Sequence, residues 1–180
     1  MIVLSGASAS GKTEVAKLLA AKYGITKVIT TTTRAMRSGE VNGKDYFFVS
    51  KEEFLRMQAN NEFVETTIYN GNYYGSLKSQ ISDNKCIVAD PEGLKAYFNL
   101  KDKNIVTFFL NAREDTRMFR MLLRGDKNED AIKRIENDKT VFDPSKFDFV
   151  DFQINSETQS IEEVTDEVYK MYIEILKNRK

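Results

Sequence analysis

The sequence contains no histidine and a single cysteine among its 180 residues. The absence of histidine excludes catalytic triads built on an imidazole, and it disfavours a zinc site, since such sites use Cys and His ligands. With one cysteine, Cys86, no disulfide can form within the chain, which fits a reducing cytosol. Because Cys86 stands in the apolar run CIVA, we expect it to be a buried core thiol.

The chain also lacks a net charge, since Lys plus Arg and Asp plus Glu both total 27. Proteins that bind nucleic acids or membrane surfaces usually carry a basic excess, so we expect neither partner. The N-terminus, MIVLSGASASGKT, lacks the basic start and long apolar stretch of a signal peptide. No run reaches the roughly 18 apolar residues of a membrane span. We therefore expect a cytoplasmic protein.

Short apolar runs alternate with helical patterns along the chain. The runs at 2–4, 86–89, 105–110 and 152–154 are β-branched or aromatic, as in buried parallel strands. Amphipathic patterns cover 13–23, with Gly24 as C-cap, and 161–175, and Ser50 with Glu53 forms a capping box. This order predicts an α/β sandwich with a parallel sheet. The Thr-, Tyr-, Asn- and Gly-rich segment 30–80 and the charged segment 113–140 interrupt it.

The segment GASASGKT matches the phosphate-loop pattern G-x-x-x-x-G-K-[ST] and lies between a predicted strand and a predicted helix. Its backbone N–H groups and the helix N-terminus can bind phosphate oxygens, with Lys12 on the outer phosphates and the Thr13 hydroxyl on Mg²⁺. The predicted ATP-binding residues are Gly6, Ala7, Ser8, Ala9, Ser10, Gly11, Lys12 and Thr13. GTPases, motor ATPases and small-molecule kinases share this loop, so it does not name the reaction.

The segment 30–80 offers groups for a second, anionic substrate. Arg34 and Arg37 are suited to clamping a phosphate, and Tyr46 adds a hydroxyl donor. Glu65 is suited to reading guanine, because guanine presents a ring N–H and an amino group as neighbouring donors, whereas adenine presents an unprotonated nitrogen there. The hydroxyls of Thr30 and Ser76 can donate to the guanine carbonyl.

The segments TTTTRAMRSGEVNGKDYFFVS, NEFVE and NGNYYGS resemble the acceptor-binding segments of the guanylate kinase family in order and spacing. With GASASGKT before them and RMLLRGDKNEDAIKRI after them, the resemblance spans nearly the whole chain. It implies Mg²⁺-dependent phosphoryl transfer from ATP to GMP. It also implies a P-loop three-layer sandwich whose core is about 1–29, 81–112 and 141–180, with a GMP-binding insertion at about 30–80 and a helical lid at about 113–140.

Matched by position, the resemblance assigns the GMP phosphate to Arg34, Arg37, Tyr46 and Tyr74, and the GMP base to Thr30, Glu65 and Ser76. Thr30 stands where the family commonly has serine. The family usually continues with Asp-x-Asp and then Gln-Gly, whereas this chain reads CIVADPEG. Asp90 is the remaining aspartate, and two roles stay open for it: contacting the base, or holding Mg²⁺ through water at the end of a strand.

The charged segment supplies arginines that phosphoryl transfer needs for charge neutralisation. Arg120, Arg124 and Arg134 match the family's R-x-x-x-R-G and K-R-[IL] patterns and, with Lys12 and Arg37, form the expected catalytic set. Arg117 lies on the same predicted helix face, but the family pattern does not select it, and we expect it on a solvated surface.

Two other functions remain compatible with the residues taken alone. One is a P-loop kinase for a different phosphorylated acceptor, such as another nucleotide or ribose bisphosphate, and the other is a non-catalytic guanylate-kinase-like binding module. Use of dGMP and the choice between monomer and weak homodimer stay open. For the adenine of ATP, Asn155 is a candidate contact.

Overall fold

The computed structural model describes residues 1–178. The strands are β1 (Ile2–Ser5), β2 (Thr26–Lys27), β3 (Thr31–Thr32), β4 (Phe47–Phe48), β5 (Phe63–Tyr69), β6 (Asn72–Leu77), β7 (Lys85–Val88), β8 (Val106–Asn111) and β9 (Phe152–Asn155). The helices are α1 (Lys12–Tyr23), α2 (Lys51–Ala59), α3 (Pro91–Asn99), α4 (Glu114–Leu123), α5 (Asn128–Val141) and α6 (Ile161–Asn178).

Five strands form a parallel sheet in the order β2-β7-β1-β8-β9. The four predicted strands β1, β7, β8 and β9 are confirmed, with bounds that differ by one residue. The order is not sequential, so each parallel connection crosses over a face of the sheet, and helices occupy both faces. The predicted α/β class with a parallel core is therefore confirmed.

Alternation along β1 divides the core into two layers. Ile2 and Leu4 pack with Val15 of α1 and Val168 of α6 on one face of the sheet. Val3 points to the other face, where it packs with Leu94 and Tyr97 of α3 and with Phe109 and Phe147. Period-two side chains on a strand buried on both sides produce this three-layer arrangement. Cys86 is 1% exposed, as expected, and burial raises its pKa to about 12.

A second, four-stranded sheet in the order β4-β3-β6-β5 contains residues from the segment 30–80. Its strands β5 and β6 form an antiparallel hairpin, and α2 packs on it through Phe54, which stacks on Phe63. The Ser50 hydroxyl caps α2 by accepting the Glu53 N–H at 3.1 Å. The reciprocal half of the predicted capping box is not formed, because the Glu53 carboxylate binds Arg56 instead.

Two helices, α4 and α5, cover the segment 113–140 and pack against each other around Met121, Ala131 and Ile135. They join β8 to the turn before β9, so they begin and end beside the core sheet. Within residues 1–178, none of the helices combines the length and the apolar character that crossing a membrane demands.

Candidate active site

The segment 6–13 forms a tight loop between β1 and α1. Three of its residues have positive φ angles: Gly6 at 142°, Ala9 at 60° and Gly11 at 101°. A Cβ on Gly6 would lie 2.2 Å from the carbonyl oxygen of Leu110, so only glycine fits where the loop leaves the sheet. Gly11 directly precedes α1, and the loop therefore delivers its N–H groups to the positive end of that helix.

Lys12 is the first residue of α1, and its ammonium group donates to the carbonyl oxygen of Ala7 at 2.7 Å. Burial lowers the pKa of Lys12 to about 8, and the nearby guanidinium groups of Arg117 and Arg124 add to this effect, while Asp138 opposes it. Among residues 1–178, no carboxylate is close enough to Lys12 to form an ion pair, so this desolvated cation is suited to a negatively charged ligand.

A cavity of about 450 Å³ opens beside the loop and α1. Its lining residues are Ala9, Gly11, Lys12, Thr13, Glu14, Arg120, Arg124, Ser156, Gln159, Ile161 and Val164. The cations Lys12, Arg120 and Arg124 and the N-terminus of α1 make part of this lining positive, while Ile161 and Val164 make another part apolar. Such a lining suits a ligand with an anionic end and a flat apolar end. Asn155 is exposed and does not line this cavity.

The donors present fit Mg²⁺ held together with a polyphosphate. Thr13 lines the cavity next to Lys12, and its side chain carries a hydroxyl group. Within residues 1–178 there is no group of three or more His, Cys, Asp or Glu side chains that would hold a metal by itself. Mg²⁺ commonly takes one or two protein ligands and completes its shell with phosphate oxygens and water, so a single hydroxyl beside the phosphate loop is a suitable protein contribution.

The three predicted lid arginines, Arg120, Arg124 and Arg134, make different contacts. Arg120 reaches the loop, where it donates to the carbonyl oxygen of Ala9 at 3.3 Å and to that of Ser156. Arg124 makes a two-pronged contact with Asp126, at 2.8 and 2.6 Å, and Arg134 lies 3.9 Å from the same carboxylate. Of these three arginines, Arg124 and Arg134 therefore lie close to Asp126, whereas Arg120 contacts the phosphate loop.

The expectation that Arg117 lies on a solvated surface is wrong. Its residue exposure is 4%, and its Nη1 is 2.9 Å from Asp138 Oδ2. The same carboxylate oxygen accepts the backbone N–H of Ser8 at 2.7 Å. The i, i+3 spacing of the arginines locates Arg117 on a helix, but Asp138 lies 21 residues away on α5, a separation that sequence periodicity cannot bridge.

Glu65 and Ser76 face each other on the second sheet. They are register partners on β5 and β6, and the Ser76 hydroxyl donates to Glu65 Oε1 at 2.7 Å. Thr30 directly precedes β3, in which Thr31 pairs with Gly75, the neighbour of Ser76 on β6. The residues assigned to one base from the sequence, Glu65, Ser76 and Thr30, therefore lie on or next to three neighbouring strands, and we call them the Glu65 row.

Asp90 extends this row to the core. It is the N-cap of α3, where it accepts the Gly93 N–H at 2.7 Å. A Cβ on Gly93 would lie 3.2 Å from Asp90 Oδ1 and 3.9 Å from Glu65 Cγ, so Gly93 leaves the space between the two carboxyl groups open. Burial raises the pKa of Glu65, and the charge of Asp90 adds to the rise while Ser76 opposes it.

Arg34, Tyr46 and Tyr74 meet at the other end of the sheet. The Arg34 guanidinium lies 5.3 Å from the Tyr46 ring centre, and that ring is 6.2 Å from the Tyr74 ring. Arg34 Nη2 pairs with Glu40 Oε1 at 2.6 Å. Tyr74 and Ser76 are two residues apart on β6, so their side chains lie on the same face of the sheet. This cationic cluster and the Glu65 row therefore share one face.

Arg37 is not part of this cluster. It is exposed, and its backbone N–H donates to Glu40 Oε2 at 2.7 Å. Among the residues that the structure describes, its guanidinium group has neither a hydrogen bond nor an ion pair. Arg37 follows Arg34 by three residues in the chain. Its positive charge is available to a ligand.

Two residues of this sheet region were not identified from the sequence. Glu40 matches no motif used above, although an acidic residue that closely follows two arginines was a usable signal. Tyr97, on α3, is 1% exposed, and burial together with the charge of Glu65 raises its pKa. No local pattern marks Tyr97, because its place beside the row depends on how α3 packs against β5.

Comparisons with known proteins identify the family. The family model described as guanylate kinase matches residues 1–173. The chain is 34% identical over 178 residues to a guanylate kinase of Anaplasma phagocytophilum, covering 93% of this chain and 83% of that protein. It is 31% identical over 191 aligned positions to a guanylate kinase of Wolbachia pipientis, covering 99% and 94%. The crystal structure of guanylate kinase from A. phagocytophilum superposes with a TM-score of 0.60 at 28% identity, covering 95% of this chain and 82% of that one.

Proposed function

This chain belongs to the guanylate kinase family and is a nucleoside monophosphate kinase, and we propose that it transfers the γ-phosphoryl group of ATP to GMP, giving ADP and GDP. The observation that carries the residue assignments is the shared face of the second sheet, where a carboxylate–hydroxyl row adjoins an arginine–tyrosine cluster. A purine with two neighbouring donors and a phosphate attached through a ribose has this same order of groups.

For the base, we assign Glu65 to the ring N–H and amino group of guanine, with Thr30 and Ser76 near its carbonyl. Asp90 lies beside Glu65, which favours a role toward the base over a role toward the metal. Adenine would present a lone pair to a buried carboxylate, and an unpaired polar contact of this kind is how a pocket rejects a wrong substrate by up to about 10⁴-fold.

For the acceptor phosphate, we assign Arg34, Tyr46 and Tyr74, with Arg37 added once the ligand is present. Arg34 is already held against the two tyrosines by Glu40, so its fork is oriented before GMP arrives. Arg37 is exposed and free to turn toward a phosphate. Phosphate recognition by guanidinium groups is bidentate and directional, which places one phosphate oxygen for attack.

For the donor, we assign the loop from Gly6 to Thr13, together with Arg120 and Arg124, which line the same cavity. An oxygen of the GMP phosphate forms a bond to the γ-phosphorus as the bond to the β-phosphate oxygen breaks. Lys12 and the lid arginines balance the charge on the oxygens involved, and Arg134 is close enough to Asp126 to join them when the lid moves. Thr13 would hold Mg²⁺ together with the ATP phosphates, and the metal would supply further charge neutralisation.

No side chain needs to act as a general base in this scheme, because the GMP phosphate is already ionised at neutral pH. Positioning and charge neutralisation carry the rate. We also propose a cytoplasmic location, which is supported by the free, buried thiol of Cys86.

A coupled assay that follows ADP release with ATP, Mg²⁺ and each nucleoside monophosphate tests the proposal. We expect turnover with GMP and little with AMP, CMP or UMP. The matched variant Lys12→Ala should keep the fold, by circular dichroism, and lose transfer. Turnover with another acceptor in preference to GMP would contradict the assignment of the base site, and no turnover with any acceptor would indicate a binding module.

A further inference from the structure

The lid holds the phosphate loop through one buried carboxylate. Asp138 Oδ2, on α5, accepts the Ser8 N–H at 2.7 Å and the Arg117 Nη1 at 2.9 Å. The side chains of Arg117 and Asp138 are 5% and 10% exposed. A single oxygen atom thus connects the loop, α4 and α5.

Arg117 is fixed by more than this ion pair. Its Nε donates to the carbonyl oxygen of Ala112 at 3.2 Å, and its Nη1 also reaches the carbonyl oxygen of Ser8 at 3.4 Å. A buried ion pair is rarely required for stability, since apolar side chains of similar volume often replace one at no cost. An apolar side chain at 138, however, has no acceptor for the Ser8 N–H. The carboxylate therefore has a specific task at the loop.

The negative charge of Asp138 is unfavourable for a loop that binds a triphosphate. A carboxylate in direct contact with the loop repels an anion bound in it. In an effective dielectric of about 20, one unit charge about 10 Å away changes the affinity for another unit charge by about tenfold. Arg117 removes most of this repulsion, because its positive charge lies 2.9 Å from the carboxylate oxygen.

Resting on the proposed function, we propose that Arg117 and Asp138 are a positioning pair for the ATP phosphates: Asp138 fixes the Ser8 amide from the lid, and Arg117 cancels the charge that this carboxylate would direct at the triphosphate. Neither side chain touches the reacting atoms. The pair ties the loop to both lid helices, so the shape of the loop depends on lid packing.

Three variants separate this role from a purely structural one: Arg117→Met, Asp138→Asn and the double variant. Calorimetry measures the Kd for ATP in the presence of Mg²⁺. Arg117→Met leaves an unbalanced carboxylate, and we expect the Kd to rise about tenfold. Asp138→Asn leaves an unbalanced cation but keeps an acceptor oxygen for Ser8, and we expect the Kd to fall. The double variant should return to within about threefold of the wild-type Kd.

Lys139→Met is the matched control, because it also removes one positive charge from this part of the lid. Lys139 is adjacent to Asp138 but its side chain is 43% exposed, with Glu114 and Glu136 as partners. Water and salt screen such a charge, so we expect less than a twofold change in the ATP Kd. The kcat of Arg117→Met at saturating ATP should stay within about threefold of wild type, as positioning without contact to the reacting atoms requires.

Two further measurements keep the proposal open to refutation if Arg117→Met does not fold. Arg117→Lys retains the charge and should restore an ATP Kd within about threefold of wild type. Amide exchange followed by NMR should show Ser8 protected in the protein without nucleotide, with protection lost in Asp138→Ala.

The proposal is overturned if Asp138→Asn weakens ATP binding as Arg117→Met does, if Lys139→Met matches Arg117→Met, or if the Ser8 amide exchanges as fast in wild type as in Asp138→Ala. Turnover of GMP by the wild-type protein separates such a result from a failure of the proposed function. The activity would then stand, and the role of the pair would be structural alone.

Discussion

Glu40 contacts both Arg34 and Arg37, the two arginines of the proposed acceptor clamp, through its one carboxylate. Its Oε1 lies 2.6 Å from Arg34 Nη2, and its Oε2 accepts the backbone N–H of Arg37 at 2.7 Å. These contacts hold the pKa of Glu40 below its usual value, with the Arg34 guanidinium as the main cause. The carboxylate stays ionised at neutral pH, so it keeps Arg34 oriented against Tyr46 before any ligand binds.

The first prediction concerns this contact. Glu40→Gln retains an oxygen for the Arg37 N–H but loses the charge that orients Arg34, so we expect the Kd for GMP to rise several-fold while the Kd for ATP is unchanged. Titration calorimetry with each nucleotide measures both values. Glu62→Gln is the control, because Glu62 lies in the same insertion and its carboxylate contacts Asn60 at 3.3 Å and Arg56 at 3.7 Å. Tighter GMP binding by Glu40→Gln would mean that Glu40 competes with the phosphate instead.

The second prediction concerns the reading of the base. Glu65→Gln replaces two acceptor oxygens with one acceptor and one donor, so one guanine donor loses its partner. We expect kcat/KM for GMP to fall by about 10²-fold or more, consistent with leaving a buried donor unsatisfied, while the KM for ATP stays within about twofold. Steady-state kinetics with each substrate varied give these ratios. Equal losses for both nucleotides would remove Glu65 from the base site.

The third prediction follows from the raised pKa of Glu65, which has burial as its main cause. A carboxyl group whose pKa is raised takes up its proton at a higher pH than usual, and the protonated form presents only one good acceptor to guanine. GMP affinity should therefore fall on acidification, and the fall should begin at a higher pH than the ordinary Glu pKa of about 4.3 alone would give. Binding of GMP measured from pH 7.5 to 5 checks this. A pH dependence in Glu65→Gln identical to that of wild type would assign the titration to another group.

The fourth prediction concerns Arg37, which has an exposed guanidinium in the protein without ligand. We expect Arg37→Ala to raise the Kd for GMP by about tenfold or more, because a charge-assisted contact to the phosphate is lost, and to leave ATP binding nearly unchanged. Arg56→Ala serves as the control, since Arg56 is another exposed arginine of the insertion and pairs with Glu53. If the two variants bind GMP alike, Arg37 has no part in the clamp.

Local patterns were sufficient for the core and for the phosphate loop. Apolar runs located β1, β7, β8 and β9, and the fixed spacing of glycine, lysine and threonine located the loop, because each signal lies within about ten residues. The Glu65–Ser76 contact is also predictable from the sequence, because the two residues lie on the two strands of one hairpin.

The remaining parts of the site depend on long-range packing. Asp138 accepts a hydrogen bond from Ser8 across 130 residues, and Tyr97 lies close enough to feel the charge of Glu65 only because α3 packs against β5. Arg117 carries the same local signal as Arg120, yet Arg117 forms a buried ion pair with Asp138, whereas Arg120 donates to the carbonyl oxygens of Ala9 and Ser156. Periodicity assigns residues to a helix face, but it does not say what the face meets.

The central claim is that GMP binds across one face of the insertion with its phosphate directed at the loop. A crystal structure with GMP and a non-hydrolysable ATP analogue tests it most directly. The account predicts guanine within hydrogen-bond distance of Glu65 and Ser76, and the GMP phosphate on Arg34 and Arg37 in line with the γ-phosphate held by Lys12. A structure in which Arg34 and Arg37 both point to solvent, away from any phosphorus atom, would contradict it.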